Sequence, residues 1–95
     1  MRELKKQFDG KGQVNGYEFN QILATPYGYI YAVSHKGVVR HHEVFKRIEN
    51  NYYDVVSYPT DKAFGKWAWT AHRLLHAKII LKSIERAETR KIEAS

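Results

Sequence analysis

The spacing of the apolar residues changes once along this chain, and that change restricts the possible folds more than any other feature. Between Tyr17 and Leu23, apolar and polar side chains largely alternate, which is the period-2 pattern of a strand with one buried face. After Thr70 the apolar positions recur with the 3.6-residue period of a helix that buries one face. This helical stripe consists of Leu74, Ala77, Ile80, Leu81, Ile84 and Ala87. The sequence therefore predicts strands before Pro59 and one long helix after Thr70.

Turn-forming residues divide the first region into short strands. Asn15-Gly16 lies just before the alternating segment and predicts either a bulge or a hairpin turn that pairs this strand with residues 4–8. Further strands, rich in aromatic and β-branched residues, are expected at 29–34, 38–48 and 52–58. Imperfect alternation around residues 41–45 predicts a bulge there. Thr70 is the expected N-cap of the helix.

An antiparallel β-meander of about four to five strands, with one long C-terminal helix packed on one face, is the simplest α+β architecture that buries both patterns. At 95 residues the chain is too short for two independent cores, so we expect a single domain at 1–95. Large aromatic residues near a helix start tend to close the end of a small core, so we expect Phe64, Trp67 or Trp69 to pack against the helix. The expected segments are an N-terminal arm or first strand at 1–9, the β-meander at 10–58, a Trp-containing connection at 59–69 and the helix at 70–93.

The composition excludes several classes of protein. Without cysteine, the chain has no disulfide, no thiol nucleophile and no cysteine-ligated zinc site. Its longest apolar run, Ile79-Ile80-Leu81, is far shorter than the roughly 20 residues of a membrane helix, and residues 1–6 lack the apolar core of a signal peptide. The sequence therefore predicts a cytoplasmic protein that contacts no membrane and carries no cofactor.

Positive charge is in excess and is concentrated near both ends of the chain. Sixteen Lys and Arg residues against ten Asp and Glu residues give a net charge of +6, which favours polyanions or an acidic protein surface. In the predicted helix four cations follow each other at i,i+4 spacing, and each like-charged pair destabilises an isolated helix by about 0.2–0.5 kcal/mol. An anionic partner would relieve this repulsion, and the alternative is a solvated face without a partner. The predicted nucleic-acid-binding residues are Lys78, Lys82, Arg86 and Arg90, with His72 and His76 beside them and Lys5 and Lys6 near the N-terminus.

Residue types suited to catalysis or metal binding are present without forming a recognisable motif. Glu43 and Asp54 would make a carboxylate pair with His41 or His42 as the base, but their spacing does not predict that they meet. Two histidines at i,i+4 spacing in the predicted helix would suit a metal ion, yet the HExxH motif is absent. The sequence also lacks a glycine-rich phosphate loop and a GxSxG elbow. We therefore expect neither an enzyme nor a metal site.

Three segments carry a resemblance to a known group of proteins. They are GKGQVNGYEF at 10–19, HEVFKR at 42–47, and SYPT at 57–60 together with FGKWAW at 64–69. Over residues 10–80 the chain thereby resembles small uncharacterised proteins of bacteriophages and prophages. The resemblance implies a phage or mobile-element accessory protein that works in the host cell cytoplasm, and it transfers no catalytic residue.

Two functional hypotheses follow, with a small enzyme as a third. The first is a non-catalytic accessory protein that binds nucleic acid or a nucleoprotein through the basic helix face. The second is an inhibitor or adaptor, for example an anti-defence protein, that binds a host protein through an exposed aromatic sheet face or edge. One helix covers only one sheet face, so several tyrosines are candidates for such contacts or for stacking on bases. These tyrosines are Tyr17, Tyr29, Tyr31, Tyr52 and Tyr53.

Overall fold

The structure, a computed structural model, describes residues 1–94, with side chains described as far as Ile92. In this part of the chain the strands are β1 (Gln7–Asp9), β2 (Tyr17–Ala24), β3 (Gly28–His35), β4 (Val38–Lys46), β5 (Glu49–Asn50), β6 (Val55–Val56) and β7 (Ala68–Ala71). The helix is α1 (Leu74–Ala94), and short 3-10 turns lie at Gly12–Val14 and Asp61–Ala63. Over the same residues, no helix combines the length and hydropathy that crossing a bilayer requires.

Five strands form one antiparallel sheet in the order β1-β2-β3-β4-β7, while β5 and β6 form a separate short hairpin. The helix α1 packs against β3, β4 and β7. After β4 the chain crosses the sheet face away from α1 and returns at the edge as β7. The predicted α+β fold, an antiparallel sheet with one C-terminal helix on one face, is confirmed.

Thr70 is a strand residue, so its prediction as the helix N-cap is wrong. It lies in β7 opposite Glu43, and α1 begins only at Leu74. Within β7 the side chains of Trp69 and Ala71 pack towards the helix. Backbone pairing with the edge of β4, together with this packing, outweighs the local N-capping tendency of threonine.

The predicted strand at 52–58 is reduced to the two residues of β6. Tyr52 and Tyr53 lie in the turn between β5 and β6, and residues 57–58 are irregular. Asp54 adopts a left-handed backbone with φ of 55°, and the Asn50 side chain accepts a hydrogen bond from the Tyr53 N–H at 3.1 Å. This turn chemistry of Asn and Asp outweighs the β propensity of the two tyrosines.

The N-terminal segment forms the edge strand β1, which is one of the two predicted alternatives. Phe8 lies opposite Phe19 in the pairing of β1 with β2. The connection is longer than a two-residue turn, because a 3-10 turn precedes Gly16, whose φ of 91° favours glycine. The bulge expected around residues 41–45 falls just before them, at Arg40.

Both faces of the sheet are covered, so the central strand β3 is buried over most of its length. The cluster on the helix face consists of Ile30, Val44, Ala71, Ala77, Leu81 and Ile84, with Trp69, Leu74 and Ile80 against it. The cluster on the other face consists of Phe19, Tyr29, Tyr31, Val33, Phe45, Val56, Ala63 and Ala68. The predicted helical stripe faces the sheet except at Ala87, which is exposed. Of the aromatic residues expected against the helix, Trp69 packs there, whereas Phe64 and Trp67 pack on the opposite face.

Arg47 fastens the N-terminal segment to the rest of the fold. Its Nη1 and Nη2 donate to the two carboxylate oxygens of Glu3, each at 2.7 Å. Its Nε donates to Glu49 at 3.3 Å, and Nη1 also donates to the Tyr29 hydroxyl. The hydrogen bond from Arg47 holds the pKa of the Glu3 carboxyl below its usual value. This bidentate pair therefore favours the ionised, docked form of the N-terminal segment.

The pairing of Glu3 with Arg47 should make stability depend on pH in the acid range. Because the folded pKa of Glu3 is lowered, its contribution is complete above the usual value of 4.5 and is lost as the pH falls through the folded pKa. Glu3→Gln should therefore lower Tm at about pH 7, and this difference should shrink as the pH falls below 4.5. Thermal melts across this range measure the difference, with Glu18→Gln as the control for an exposed carboxylate. An effect of Glu3→Gln that is the same at every pH would contradict the assignment.

The cluster on the sheet face opposite α1, here called the second core, should contribute strongly to stability through its aromatic residues. Phe45 is fully buried and its ring contacts those of Tyr29, Tyr31 and Tyr58. Phe45→Ala should therefore lower the free energy of unfolding by about 3–5 kcal/mol. Tyr52→Ala, at a residue that is 88% exposed, should change it by less than about 0.5 kcal/mol. Urea denaturation of both variants provides the test, and similar losses would show that the core is placed wrongly.

Candidate functional site

The outer side of α1 carries the four predicted cations, here called the basic ladder: Lys78, Lys82, Arg86 and Arg90. All four are exposed, because the helix buries its opposite side, including Ala77 and Leu81, against the sheet. Successive members lie about 6 Å apart along the helix axis, so the ladder is about 18 Å long. It also turns by about 40° around the helix at each step. The four charges therefore share one continuous surface.

Among residues 1–92, the neighbouring carboxylates Glu85 and Glu88 form no ion pair with the basic ladder. Within residues 1–92, none of its members forms an ion pair. Glu88, on the same helix, instead approaches Lys46 of β4 at 3.9 Å and Lys91 at 3.4 Å. The like-charge repulsion predicted from the spacing is therefore present in the folded chain.

His72 and His76 occupy different elements. His72 lies in the bend between β7 and α1, where its carbonyl oxygen is 3.2 Å from Nδ1 of the buried His42. His76 lies on the helix and is exposed. Because α1 begins after His72, the two imidazoles lack the helical i,i+4 relation that a start at Thr70 would give them. Only His76 belongs to the outer side of α1.

Lys5 and Lys6 lie apart from the basic ladder. The Lys5 carbonyl accepts a hydrogen bond from the Tyr31 hydroxyl at 2.6 Å, on the sheet face that α1 does not cover. The Lys6 carbonyl accepts one from the Gln21 N–H at 2.7 Å, next to the edge strand β1. The sheet therefore separates the N-terminal lysines from the helix, and one continuous surface does not contain both.

Two apolar side chains accompany the basic ladder. Leu75 is 71% exposed and Ile79 is 57% exposed. They are four residues apart, so they are neighbours on the helix surface and lie beside Lys78 and Lys82. The sequence analysis did not identify Leu75 as an exposed residue because it is next to Leu74 of the core stripe. Its i,i+4 spacing from Ile79 could have indicated that the two side chains lie together on the outer face. The outer face of α1 is therefore mixed, with apolar residues next to cations.

The tyrosines expected on an open sheet face are mostly placed elsewhere. Tyr29 and Tyr31 are buried in the second core. Tyr17 is half-buried, and its ring stacks on His35 with centroids 4.7 Å apart. The exposed tyrosines are Tyr52 and Tyr53, in the β5–β6 turn. Of the expected aromatic sheet face or edge, the face is covered by irregular chain, and the exposed tyrosines lie in the β5–β6 turn instead.

The residues considered for catalysis do not converge on one point. Asp54 lies in the β5–β6 turn, with its carboxylate 3.6 Å from the N-terminal amine. Glu43 instead contacts His41, and the distance between His41 Nε2 and Glu43 Oε2 is 3.4 Å. His42 points to the opposite sheet face, as strand neighbours do. In the part of the chain that the structure describes, no group of three His, Asp or Glu side chains is placed to hold a metal ion.

A cavity of about 520 Å³ lies on the sheet face opposite α1. Its floor is built from the buried or half-buried side chains of Phe8, Phe19, Glu43, Tyr58 and Phe64. Its rim is built from the exposed residues Lys5, Asp9, Lys11, Val14 and Asp61. Cavities of this size and apolar character are where proteins hold small ligands. The sequence does not reveal this one because its walls come from distant segments, although the single carboxylate in the apolar half of β4 is a signal.

The polar group at the floor of the cavity is a hydrogen-bonded pair. The Tyr58 hydroxyl donates to Oε1 of Glu43 at 2.6 Å. Burial, and to a lesser extent the Glu43 charge, raise the pKa of the Tyr58 phenol far above its usual value of 10.0. The phenol therefore stays protonated and keeps donating, which fixes the Glu43 carboxylate against the cavity.

Comparisons of the chain with protein-family models, with curated proteins and with solved structures found no significant match. Two surfaces therefore provide the basis for a functional proposal. They are the outer face of α1 with the basic ladder, and the cavity on the opposite side of the sheet.

Removal of the Tyr58 hydroxyl should cost stability, and this cost should become smaller at alkaline pH. Tyr58→Phe keeps the ring but removes a hydrogen bond to a carboxylate, worth about 1.5–3 kcal/mol. Because the folded pKa is raised, this contribution is complete below 10.0 and is lost as the pH rises above it. Urea denaturation on both sides of this pH measures the effect, with Tyr53→Phe in the exposed turn as the control. A loss in Tyr58→Phe that persists unchanged at high pH would contradict the hydrogen bond.

Proposed function

We propose that this protein is a non-catalytic accessory protein of a bacteriophage or mobile element that binds nucleic acid, alone or in a nucleoprotein, through the outer face of α1. The observation that carries the proposal is the basic ladder, whose members are exposed and form no ion pair within residues 1–92. Like charges at this spacing destabilise the helix. A row of phosphates would turn that repulsion into attraction, which gives the arrangement a function.

The basic ladder suits a nucleic-acid backbone in both length and chemistry. Duplex DNA carries one negative charge per about 1.7 Å of its axis, so about 18 Å of ladder meets enough phosphates to pair every cation. Arg86 and Arg90 can each contact a phosphate through two parallel N–H bonds, while the lysines act as point charges. Leu75 and Ile79 add apolar contact of the kind that thymine methyl groups accept.

Binding of a host protein, as an inhibitor or adaptor, is a second candidate with a specific observation in its favour. Tyr52 and Tyr53 are 88% and 68% exposed, and their ring centroids are 4.8 Å apart at the β5–β6 turn. Tyrosine is enriched at protein interfaces, where it contributes large contact areas with few rotatable bonds. A contact through this pair would not depend on the basic ladder, so its affinity would change little with salt.

Charge reversal within the basic ladder tests the nucleic-acid proposal. In the double variant Lys82→Glu/Arg86→Glu, two of the three like-charged pairs become oppositely charged, so Tm should stay the same or rise slightly. Affinity for nucleic acid should fall on the order of 100-fold, because two phosphate contacts are lost and two carboxylates repel the polyanion. With four phosphates neutralised, the parent's affinity for duplex DNA should itself fall on the order of 100-fold between about 50 and 200 mM salt.

The matched control is Lys62→Glu/Lys66→Glu, at two exposed lysines in the connection before β7. Each double variant replaces two positive charges by two negative ones, so both lower the net charge of +6 by four, to +2. Mobility shifts with single- and double-stranded DNA and RNA, run beside thermal melts, compare the three proteins. Equal losses in both variants would assign binding to net charge instead of the ladder. If the parent binds none of the four polymers, the proposal fails and the tyrosine pair becomes the leading surface.

A further inference from the structure

The cavity opposite α1 has walls that suit a flat apolar group. Phe8 and Phe19 stack with ring centroids 4.8 Å apart and planes 3° from parallel. The Tyr58 ring stands edge-on to both, at 5.2 Å and 5.9 Å. Phe64 lines the cavity from the connection before β7. Such aromatic surfaces contact aryl or alkyl groups, and their π faces also attract cations.

The charged group at the cavity floor is a carboxylate. The Glu43 side chain is only 15% exposed, and the groups in contact with it are the Tyr58 hydroxyl and the His41 ring. A carboxylate has sites for about four hydrogen bonds, so acceptor capacity is left for a ligand. A carboxylate in such surroundings gains more from a cation than a carboxylate in water does.

The rim of the cavity carries charges of both signs on side chains of different length. Asp61 is a short side chain, whereas Lys5 and Lys11 have long stems. All three are exposed, so the lysines can extend their ammonium groups into water while Asp61 keeps its charge close to the rim. Glu43 is therefore the charged group nearest to the cavity floor, although the chain as a whole carries +6.

We propose that the cavity binds a small organic amine, with the apolar body against the aromatic side chains and the ammonium group against the Glu43 carboxylate. The volume of about 520 Å³ falls in the range of small-molecule sites. This site does not depend on the proposed nucleic-acid binding, because the sheet separates the cavity from the basic ladder. The charge of the ligand is the opposite of the one that the outer face of α1 would select.

Three probes with the same aromatic body test the charge preference: the phenethylammonium ion, neutral 2-phenylethanol and the anion 3-phenylpropionate. Titration followed by amide NMR should place the largest shifts on cavity residues such as Gly10 and Phe19. The ammonium probe should bind at least about ten-fold more tightly than the alcohol, and the anion should bind most weakly. Equal affinities, shifts outside the cavity, or no binding at millimolar concentration would each overturn the proposal.

Variants test the contribution of the Glu43 carboxylate. Glu43→Gln should remove most of the preference for the ammonium probe and leave the affinity for the alcohol unchanged, whereas the control Glu18→Gln on an exposed β2 carboxylate should alter neither. An ammonium preference that is undiminished in Glu43→Gln would overturn the proposal. If a melt shows that Glu43→Gln does not fold, two exposed rim positions decide instead. Val14→Phe should weaken all three probes by narrowing the mouth, and Asp61→Asn should reduce the preference for the ammonium ion, so no effect from either would also overturn it.

Discussion

In residues 1–94, one helix and the irregular chain must together cover both faces of a five-stranded sheet, and the rest of the structure depends on this. On the second face the cover is irregular chain, whose polar groups must be hydrogen-bonded once they are buried. Tyrosine solves this problem because its ring fills the core while its hydroxyl reaches a partner. Tyr31 donates to the Lys5 carbonyl, and Tyr58 donates to Glu43. Within the described residues, no buried side-chain nitrogen or oxygen lacks a partner.

The parts of the fold that were predictable are those that local periodicity determines. Side chains such as Ala77, Leu81 and Ile84 share one face of any helix that contains them, so their burial follows from spacing alone. Thr70 was mispredicted because its conformation depends on β4, which is distant in sequence. The strand at 52–58 was mispredicted for the opposite reason, since a local turn closed by Asp54 overrides tyrosine's preference for strands.

The contrast between local periodicity and contacts between distant segments also explains which candidate site residues could be located from the sequence. The basic ladder lies on one helix, so the relative positions of its members were fixed as soon as the helix was predicted. The positions of Lys5 and Lys6 could not be predicted without the path of the N-terminal segment, which places them on the other side of the sheet. The cavity forms where three separate segments meet at Glu43 and Tyr58, and the spacing of residues along the chain does not predict that contact.

The two sides of the sheet also differ in how firmly they are built. The helix is held by a continuous apolar stripe. The N-terminal segment, which covers part of the other face, contains a three-residue strand and the ion pair of Glu3 with Arg47, in which the Glu3 side chain is 58% exposed. Exposed pairs contribute little to stability, so this cover is held mainly by the packing of Phe8 on Phe19 and Tyr58. Because Phe8 also lines the cavity, a ligand bound there would stabilise the docked N-terminal segment by mass action.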